Sequence, residues 1–168
     1  MYNKSLFVLA VLLYMSLNIA CSEDVSSSNN NSPITETQAV QKAKQVNSGA
    51  VTKTELTTHN GIKVWEVYMT TPSGGQLKIK YQVDDGTMVE IKGVSASFEY
   101  EVQPGMKLIN YSVAKSVALN AKNGEILEWK LGKDESDNNW QYRFFIRNSG
   151  QDWEIRIEAT TGVVLRIK

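Results

Sequence analysis

The sequence predicts an α+β fold in which one unit, a helix packed on a four-stranded antiparallel meander sheet, occurs twice. First, landmark residues recur 75 positions apart, as Ile34 and Ile109 do. Second, each copy begins with apolar residues at helical spacing and continues with alternating apolar and polar residues, the period of half-buried strands. Third, Gly-containing turns separate the alternating segments. A helix on one face of an antiparallel sheet is a stable way to bury both apolar surfaces.

Residues 1–20 have the features of an export signal. Lys4 provides a positive charge, and residues 6–20 are almost wholly apolar. A helix of that length spans about 22 Å, which is short for a stable membrane span. Because the small residue Ala20 closes the segment, the pattern is typical of a cleaved signal peptide.

Cys21 is the only cysteine of the chain and directly follows this segment. The junction resembles a lipobox, although Asn18 stands where that motif usually has Leu. The resemblance implies that Cys21 is diacylated and anchors an exported lipoprotein to the membrane of a bacterial cell envelope. A plain secretory signal with an incidental cysteine and an uncleaved anchor are the alternatives. Residues 21–33 are polar and Ser/Asn-rich, which predicts a flexible tether.

The first repeat is predicted over residues 34–93. Thr35 and Gln38 form a capping-box pattern at the start of a helix, which continues through Ala39 and Ala43. Gly49 is predicted to end that helix in a left-handed conformation. Four strands follow, with Asn60-Gly61, residues 72–75 and residues 84–86 as their turns. They are predicted at residues 51–57, 62–69, 77–83 and 88–91.

The second repeat is predicted over residues 108–168, with Asn110 as N-cap and Gly124 as helix end. The 75-residue offset aligns Trp65 with Trp140, and it becomes 76 from Ile79 and Ile155 onward. Residues 94–107 join the repeats as an extra edge strand or a strap, and their alternating pattern favours a strand. The strands of this repeat are predicted at residues 125–131, 140–147, 153–157 and 163–167.

Each copy resembles a PepSY domain, the unit found in propeptides of thermolysin-like metallopeptidases and in many exported bacterial proteins. The aromatic-rich strands at residues 63–67 and 140–144 and the closing Gly-containing strands at residues 83–89 and 157–164 carry this resemblance. It covers residues 34–92 and 109–168. The family implies a protein partner, namely a secreted or envelope peptidase that the domain inhibits or regulates.

The composition argues against several classes of function. Eighteen basic and 18 acidic residues balance, whereas a nucleic-acid-binding protein needs a basic surface. One cysteine and one histidine, His59, are too few for an ordinary zinc or iron–sulfur site. His59 is predicted in an exposed hairpin loop, and Asp134 with its acidic neighbours in a solvated loop. We therefore expect no catalytic residue, cofactor or metal.

Trp129 and Trp153 have no aromatic counterpart in the first repeat. Trp often marks recognition surfaces, so both are candidates for protein binding, with core packing as the alternative. The sequence predicts a non-catalytic envelope lipoprotein that binds another protein, a peptidase in the first instance. The alternative is an accessory envelope protein for folding, assembly or sensing of surface components.

Overall fold

The computed structural model describes residues 32–93, 99–100 and 102–168, which contain two helices and eight strands. The predicted signal peptide, Cys21 and almost all of the predicted tether lie outside the described residues. The first repeat contains α1 (Glu36–Val46), β1 (Ala50–His59), β2 (Ile62–Thr70), β3 (Gln76–Gln82) and β4 (Met88–Gly93). The second contains α2 (Tyr111–Ala121), β5 (Glu125–Lys133), β6 (Trp140–Asn148), β7 (Gln151–Glu158) and β8 (Val164–Ile167).

The strands form one antiparallel sheet in chain order, from β1 at one edge to β8 at the other. Each repeat contributes a helix and four consecutive strands. The two meanders are not separate sheets, however, because β4 pairs with β5, with Ile91 opposite Leu131 and Gly93 opposite Trp129. The repeats therefore share one sheet and one hydrophobic core.

Both helices cover the same face of the sheet. Ala39 and Ala43 of α1 and Ala114 and Ala118 of α2 are completely buried in the shared core. Their small side chains let each helix approach the sheet closely, which is the role that the Ala spacing predicts. α1 packs on β1 and β2, whereas α2 packs on β6, β7 and β8.

Local capping and turn signals account for several boundaries. The Thr35–Gln38 capping box is present, with both reciprocal hydrogen bonds. Asn110 occupies the N-cap of α2, but its side chain makes no capping hydrogen bond. Asn60 and Gly61 both have positive φ, 49° and 79°, as a tight two-residue hairpin turn requires.

The prediction that Gly49 and Gly124 end the helices is wrong, although Gly124 does have the expected positive φ, 157°. The helices already end at residues 46 and 121, with extended C-caps. A Cβ on Gly49 would lie 2.2 Å from the Thr70 carbonyl oxygen, and one on Gly124 would lie 2.3 Å from that of Arg147. Glycine stands at both positions because the start of each meander passes very close to the end of the next strand.

The register also corrects the alignment of Trp65 with Trp140. Leu56 lies opposite Trp65, and Leu131, 75 residues after Leu56, lies opposite Tyr142. Trp65 Nε1 donates to the carbonyl oxygen of Ile34 at 3.0 Å, and Tyr142 OH donates to that of Ile109 at 2.8 Å. Tyr142 is thus the structural counterpart of Trp65.

The offset between the repeats changes twice along the sheet. It is 75 in the helix and first strand, 77 in the second strand, and 76 in the last two strands. The pair Lys133–Trp140 encloses six residues, 134–139, whereas the corresponding pair Thr58–Lys63 encloses four, and this difference of two causes the first change. The 76-residue offset for Gly86 and Gly162 is confirmed, since each has positive φ and donates to a strand carbonyl four residues earlier.

The segment between the repeats contains no strand in its described part. Residues 94–98 and 101 lie outside the described residues. Tyr100 and Val102 are buried, and Gln103 N donates to the Val46 carbonyl oxygen at 3.0 Å. The described part therefore acts as a strap, which attaches to the end of α1 and places Tyr100 beside Tyr111 of α2.

Candidate binding surfaces

Trp129 is not on a binding surface. Its side chain is 0% exposed and lies among Tyr100, Tyr111, Tyr142 and Phe144. The ring centroids of Trp129 and Tyr111 are 4.5 Å apart. This position corresponds to an edge strand in the first repeat and to an interior strand in the second, so Trp129 fills the core where the repeats join.

Trp153 remains a candidate for protein binding. Its ring is only partly buried, and the ammonium group of Lys122 lies 3.7 Å from the ring centroid. A shallow depression of about 280 Å³ adjoins it, lined also by Gln151, Asp152 and Lys168. The indole therefore lies next to the free edge of the sheet.

The edge strand β8 exposes an unusual amount of apolar side chain. Val163, which precedes it, is 55% exposed, Leu165 is 49% exposed and Ile167 is 47% exposed. An edge strand also presents backbone N–H and C=O groups without strand partners, and proteins bind extended segments at such edges. The β8 surface is defined here as Trp153, Val163, Val164, Leu165 and Ile167.

The open face of the sheet, opposite the helices, is charged rather than apolar. Lys80 lies near its centre with its side chain 8% exposed, and its ammonium group is 2.8 Å from Glu90 and 3.7 Å from Glu66. Other ion pairs continue along the face. They join Lys78 to Glu66, Lys92 to Glu128, Arg143 to Asp134, Arg156 to both Asp134 and Glu154, and Arg147 to Asp152.

A cleft of about 500 Å³ brings charged side chains from both repeats together on this face. Its lining includes His59, Glu90, Lys130, Asp134 and Arg143. The hairpin between β1 and β2 reaches it from one side and the β5–β6 loop from the other. Its ionisable side chains are the groups that a catalytic site on this face would use.

The sequence predicted His59 in an exposed loop, and this prediction is wrong. His59 is the half-buried last residue of β1, and its Nδ1 lies 2.9 Å from Lys80 Nζ. Because an ammonium group has only donors, Nδ1 accepts this hydrogen bond through its lone pair. That nitrogen is thereby engaged by Lys80 rather than by a substrate proton.

Glu90 and Asp134, two of the carboxylates that line the cleft, are held in the ionised form. Burial disfavours the charge of Glu90, but the hydrogen bond and charge of Lys80 outweigh it and lower its pKa. Hydrogen bonds from Ser136 to Asp134 lower the pKa of that carboxyl, with Arg143 and Arg156 adding to the effect. Neither group is poised to donate a proton at neutral pH, as a general acid must.

Asp134 is buried, which corrects its predicted place in a solvated loop. The carboxylate Oδ2 accepts from Arg143 at 2.7 Å and from Arg156 at 3.1 Å. Asp134 therefore links β6 to β7, whereas its acidic neighbours Glu135 and Asp137 are exposed, as predicted. The period-2 pattern of β6 and β7, which places Arg143 and Arg156 on the same face, is the sequence signal for this link.

Among the described residues, no group of three or more His, Cys, Asp or Glu side chains is arranged to hold a metal ion. None of the helices in the described residues is long and apolar enough to cross a membrane.

The comparisons with known proteins identify a domain in each repeat. The family model described as "Peptidase propeptide and YPEB domain", PepSY, matches residues 33–92 and 108–168, which is more than half of the chain. No curated protein sequence matches significantly. A crystal structure of a "putative lipoprotein" from Clostridium difficile 630 is 19% identical, covering 82% of this chain and 93% of that one with a TM-score of 0.39. At that TM-score the likeness carries no argument about function.

Proposed function

This chain belongs to the PepSY family, and from that premise we propose that it is a non-catalytic lipoprotein of the bacterial cell envelope that binds another protein. A peptidase is the first candidate for the partner, since the family description names the peptidase propeptide. In this proposal Cys21 carries the lipid, and residues 21–33 tether the folded repeats to the membrane.

The observation that carries the proposal is the β8 surface. Its apolar side chains are exposed, although the open sheet face beside them is covered by paired charges. An extended segment of a partner pairs with a free strand edge through backbone hydrogen bonds, while side chains such as Leu165 and Trp153 add apolar contacts. The charged cleft, in which Glu90 and Asp134 are ionised and paired with basic side chains, supports binding rather than catalysis.

A binding experiment tests this proposal. The chain from Ser22 onward is immobilised and exposed to the secreted peptidases of the same organism, and bound peptidase and its residual activity are measured. We expect retention of a peptidase by the wild type and loss of retention with Ile167→Arg or Trp153→Ala. Leu56→Arg, an equally exposed position on the opposite edge, is the matched control and should retain binding.

Two results would contradict parts of this proposal. Failure to retain or inhibit any peptidase contradicts the partner, and a loss of retention with Leu56→Arg as large as with Ile167→Arg contradicts the β8 surface as the site where it binds. Capture of an envelope protein that is not a peptidase would favour the accessory role instead.

The lipid anchor has its own test. Metabolic labelling with a fatty acid should label the wild-type protein, and Cys21→Ser should abolish the label and release the protein from the membrane fraction. An unlabelled wild-type protein would show that Cys21 is not acylated.

A further inference from the structure

The β4–β5 junction between the repeats is built from the same two kinds of strand that form the free edges of the sheet. In register, β8 corresponds to β4 with an offset of 76, and β1 corresponds to β5 with an offset of 75. β4 and β5 pair with each other in the middle of the sheet, whereas their counterparts β8 and β1 lie at its two ends. Each free edge therefore corresponds to a strand that has a partner inside the same chain.

The central apolar pair of the junction has an exposed counterpart at the edges. Ile91 of β4 lies opposite Leu131 of β5, and both side chains are 0% exposed. The corresponding residues are Ile167 in β8, which is 47% exposed, and Leu56 in β1, which is 56% exposed. The two edges thus carry apolar residues at the positions that form a buried pair at the junction, but here both side chains are exposed to solvent.

We propose that a second copy of this chain docks its β1 edge onto the β8 edge, antiparallel and in the register of the β4–β5 junction. Ile167 then lies opposite Leu56 of the second copy, and burying the pair removes apolar surface from water. This inference rests on the proposed function, because it names one partner for the same β8 surface.

An opposite-charge pair would face across the edges in this register, where the junction has two lysines facing each other. The junction places Lys92 opposite Lys130, a like-charge pair that Glu128 offsets through its ion pair with Lys92. At the edges the corresponding residues are Lys168 and Glu55, which carry opposite charges. Glu55 also forms an ion pair with Lys53 of its own strand, which occupies the position of Glu128. Opposite charges facing each other across antiparallel strands stabilise pairing, whereas like charges destabilise it.

The predicted contact is weaker than the junction. The edges lack a counterpart of the buried Trp129 and Gly93 pair, since Thr54 occupies the position of Trp129. Charged side chains such as Lys53 and Arg166 also flank the edges, and charges on an edge strand oppose strand pairing. We therefore expect reversible, concentration-dependent association rather than a permanent dimer.

The geometry is head-to-tail. Each copy offers two different edges, so the contact joins unlike surfaces and leaves one free edge at each end. Blocking one edge in each of two variants therefore produces partners that cannot associate with themselves but can associate with each other. A two-fold dimer through β8 alone or β1 alone does not have this property.

Sedimentation analysis of the chain from Ser22 onward tests the contact. We expect the wild type to form larger species as its concentration is raised to the solubility limit. Leu56→Arg and Ile167→Arg should each be monomeric, and their equimolar mixture should contain a one-to-one dimer. Met106→Arg, an exposed apolar position on the strap, should associate like the wild type.

A charge exchange provides a second test that leaves the apolar residues in place. Lys168→Glu should weaken association about tenfold or less, consistent with one cross-strand charge pair. The double variant Glu55→Lys with Lys168→Glu should restore it. Far-ultraviolet circular dichroism checks that each variant is folded.

The inference is overturned by a wild type that stays monomeric at every concentration, by a single blocked variant that still dimerises, or by a mixture that stays monomeric. These outcomes are separate from those for peptidase binding. A monomeric chain that retains a peptidase through Ile167 refutes only the second-copy contact, and a self-associating chain that retains none refutes only the peptidase assignment.

Discussion

Replacing Gly93 with alanine tests how the two repeats are joined. Gly93 lies opposite Trp129 in the β4–β5 pair, and a Cβ at this position would be 2.1 Å from Trp129 Nε1 and 2.6 Å from Cε2. Nonbonded heavy atoms of this kind are normally about 3.5–4.0 Å apart. The indole must therefore move by about 1.5 Å for the substituted protein to fold with the same register.

The surroundings of Trp129 make that movement costly. Tyr100 and Tyr111 contact the ring, with centroids 5.3 Å and 4.5 Å away, and none of the indole is exposed. Adding a methyl group to a well-packed core costs about 1–3 kcal/mol. Because the displaced group is a large ring rather than the end of a flexible chain, we expect about 3 kcal/mol for Gly93→Ala.

Gly132→Ala is the matched control, since Gly132 also belongs to the β4–β5 pair. Its Cβ would meet only ordinary contacts, with the Val89 carbonyl oxygen at 3.5 Å. Alanine there should leave the free energy of unfolding unchanged or raise it by a few tenths of a kcal/mol, up to about 1 kcal/mol, because it restricts the unfolded chain. Urea denaturation of the wild type and both variants provides the comparison.

A double-mutant cycle tests the assigned cause. If the clash is with the indole, Gly93→Ala should destabilise a Trp129→Leu background much less than it destabilises the wild type. The reasoning is refuted if Gly93→Ala and Gly132→Ala have the same stability, or if the two effects at Gly93 and Trp129 simply add.

Two further substitutions probe polar contacts. Asp134→Asn removes the charge that holds Arg143 and Arg156 and should lower the free energy of unfolding near pH 7, as urea denaturation measures it. The pKa of Asp134 is lowered in the folded protein. The carboxylate therefore contributes fully to stability above the ordinary Asp pKa of about 4, and this contribution is lost as the pH falls through the lowered pKa. The difference in the free energy of unfolding between wild type and Asp134→Asn should consequently narrow in acid. A difference that stays constant from pH 7 down through the acid titration of the carboxylate would refute the role of the charge. Tyr142→Phe removes the hydrogen bond to Ile109 and should cost about 1 kcal/mol in urea denaturation, and no change would show that this bond is unimportant.

Local chemistry made much of the fold predictable. The capping box at Thr35 and the positive-φ turn at Asn60-Gly61 depend on residues within a few positions of each other, and both are as the sequence predicted. The alternation of apolar and polar residues likewise located the strands to within a few residues, because side-chain period is a property of the strand itself.

Equivalence between repeats was less predictable, because it depends on loop length. The predicted match between Trp65 and Trp140 assumes a constant offset in residue number. The actual match is set by the register in which neighbouring strands pair, and it joins Trp65 to Tyr142. The longer loop at residues 134–139 shifts the second strand by two positions, which preserves which side chains face the core. Tyr142 consequently takes over the hydrogen-bonding role of Trp65, although the two side chains differ.

The candidate binding residues likewise depend partly on local sequence and partly on contacts between distant strands. The sequence singled out Trp153, which lies beside a free edge, but it could not separate this residue from Trp129, which lies in the core. Both stand in alternating strands with similar neighbours, so the pattern is the same. The difference arises from the pairing of β4 with β5, a contact between distant parts of the chain that covers Trp129 and leaves Trp153 at the margin.

Duplication gives the two edges and the junction a common geometry but different side chains. At the junction, Trp129 fills the space above Gly93 and the pairing is permanent. At the edges, Thr54 replaces the Trp, while Ile167 and Leu56 stay apolar and exposed. An edge selected only for solubility would be expected to carry charged side chains at these two positions as well. Their apolar character, within a sheet whose open face is lined with charges, is best explained by contacts that form and dissociate at the ends of the sheet.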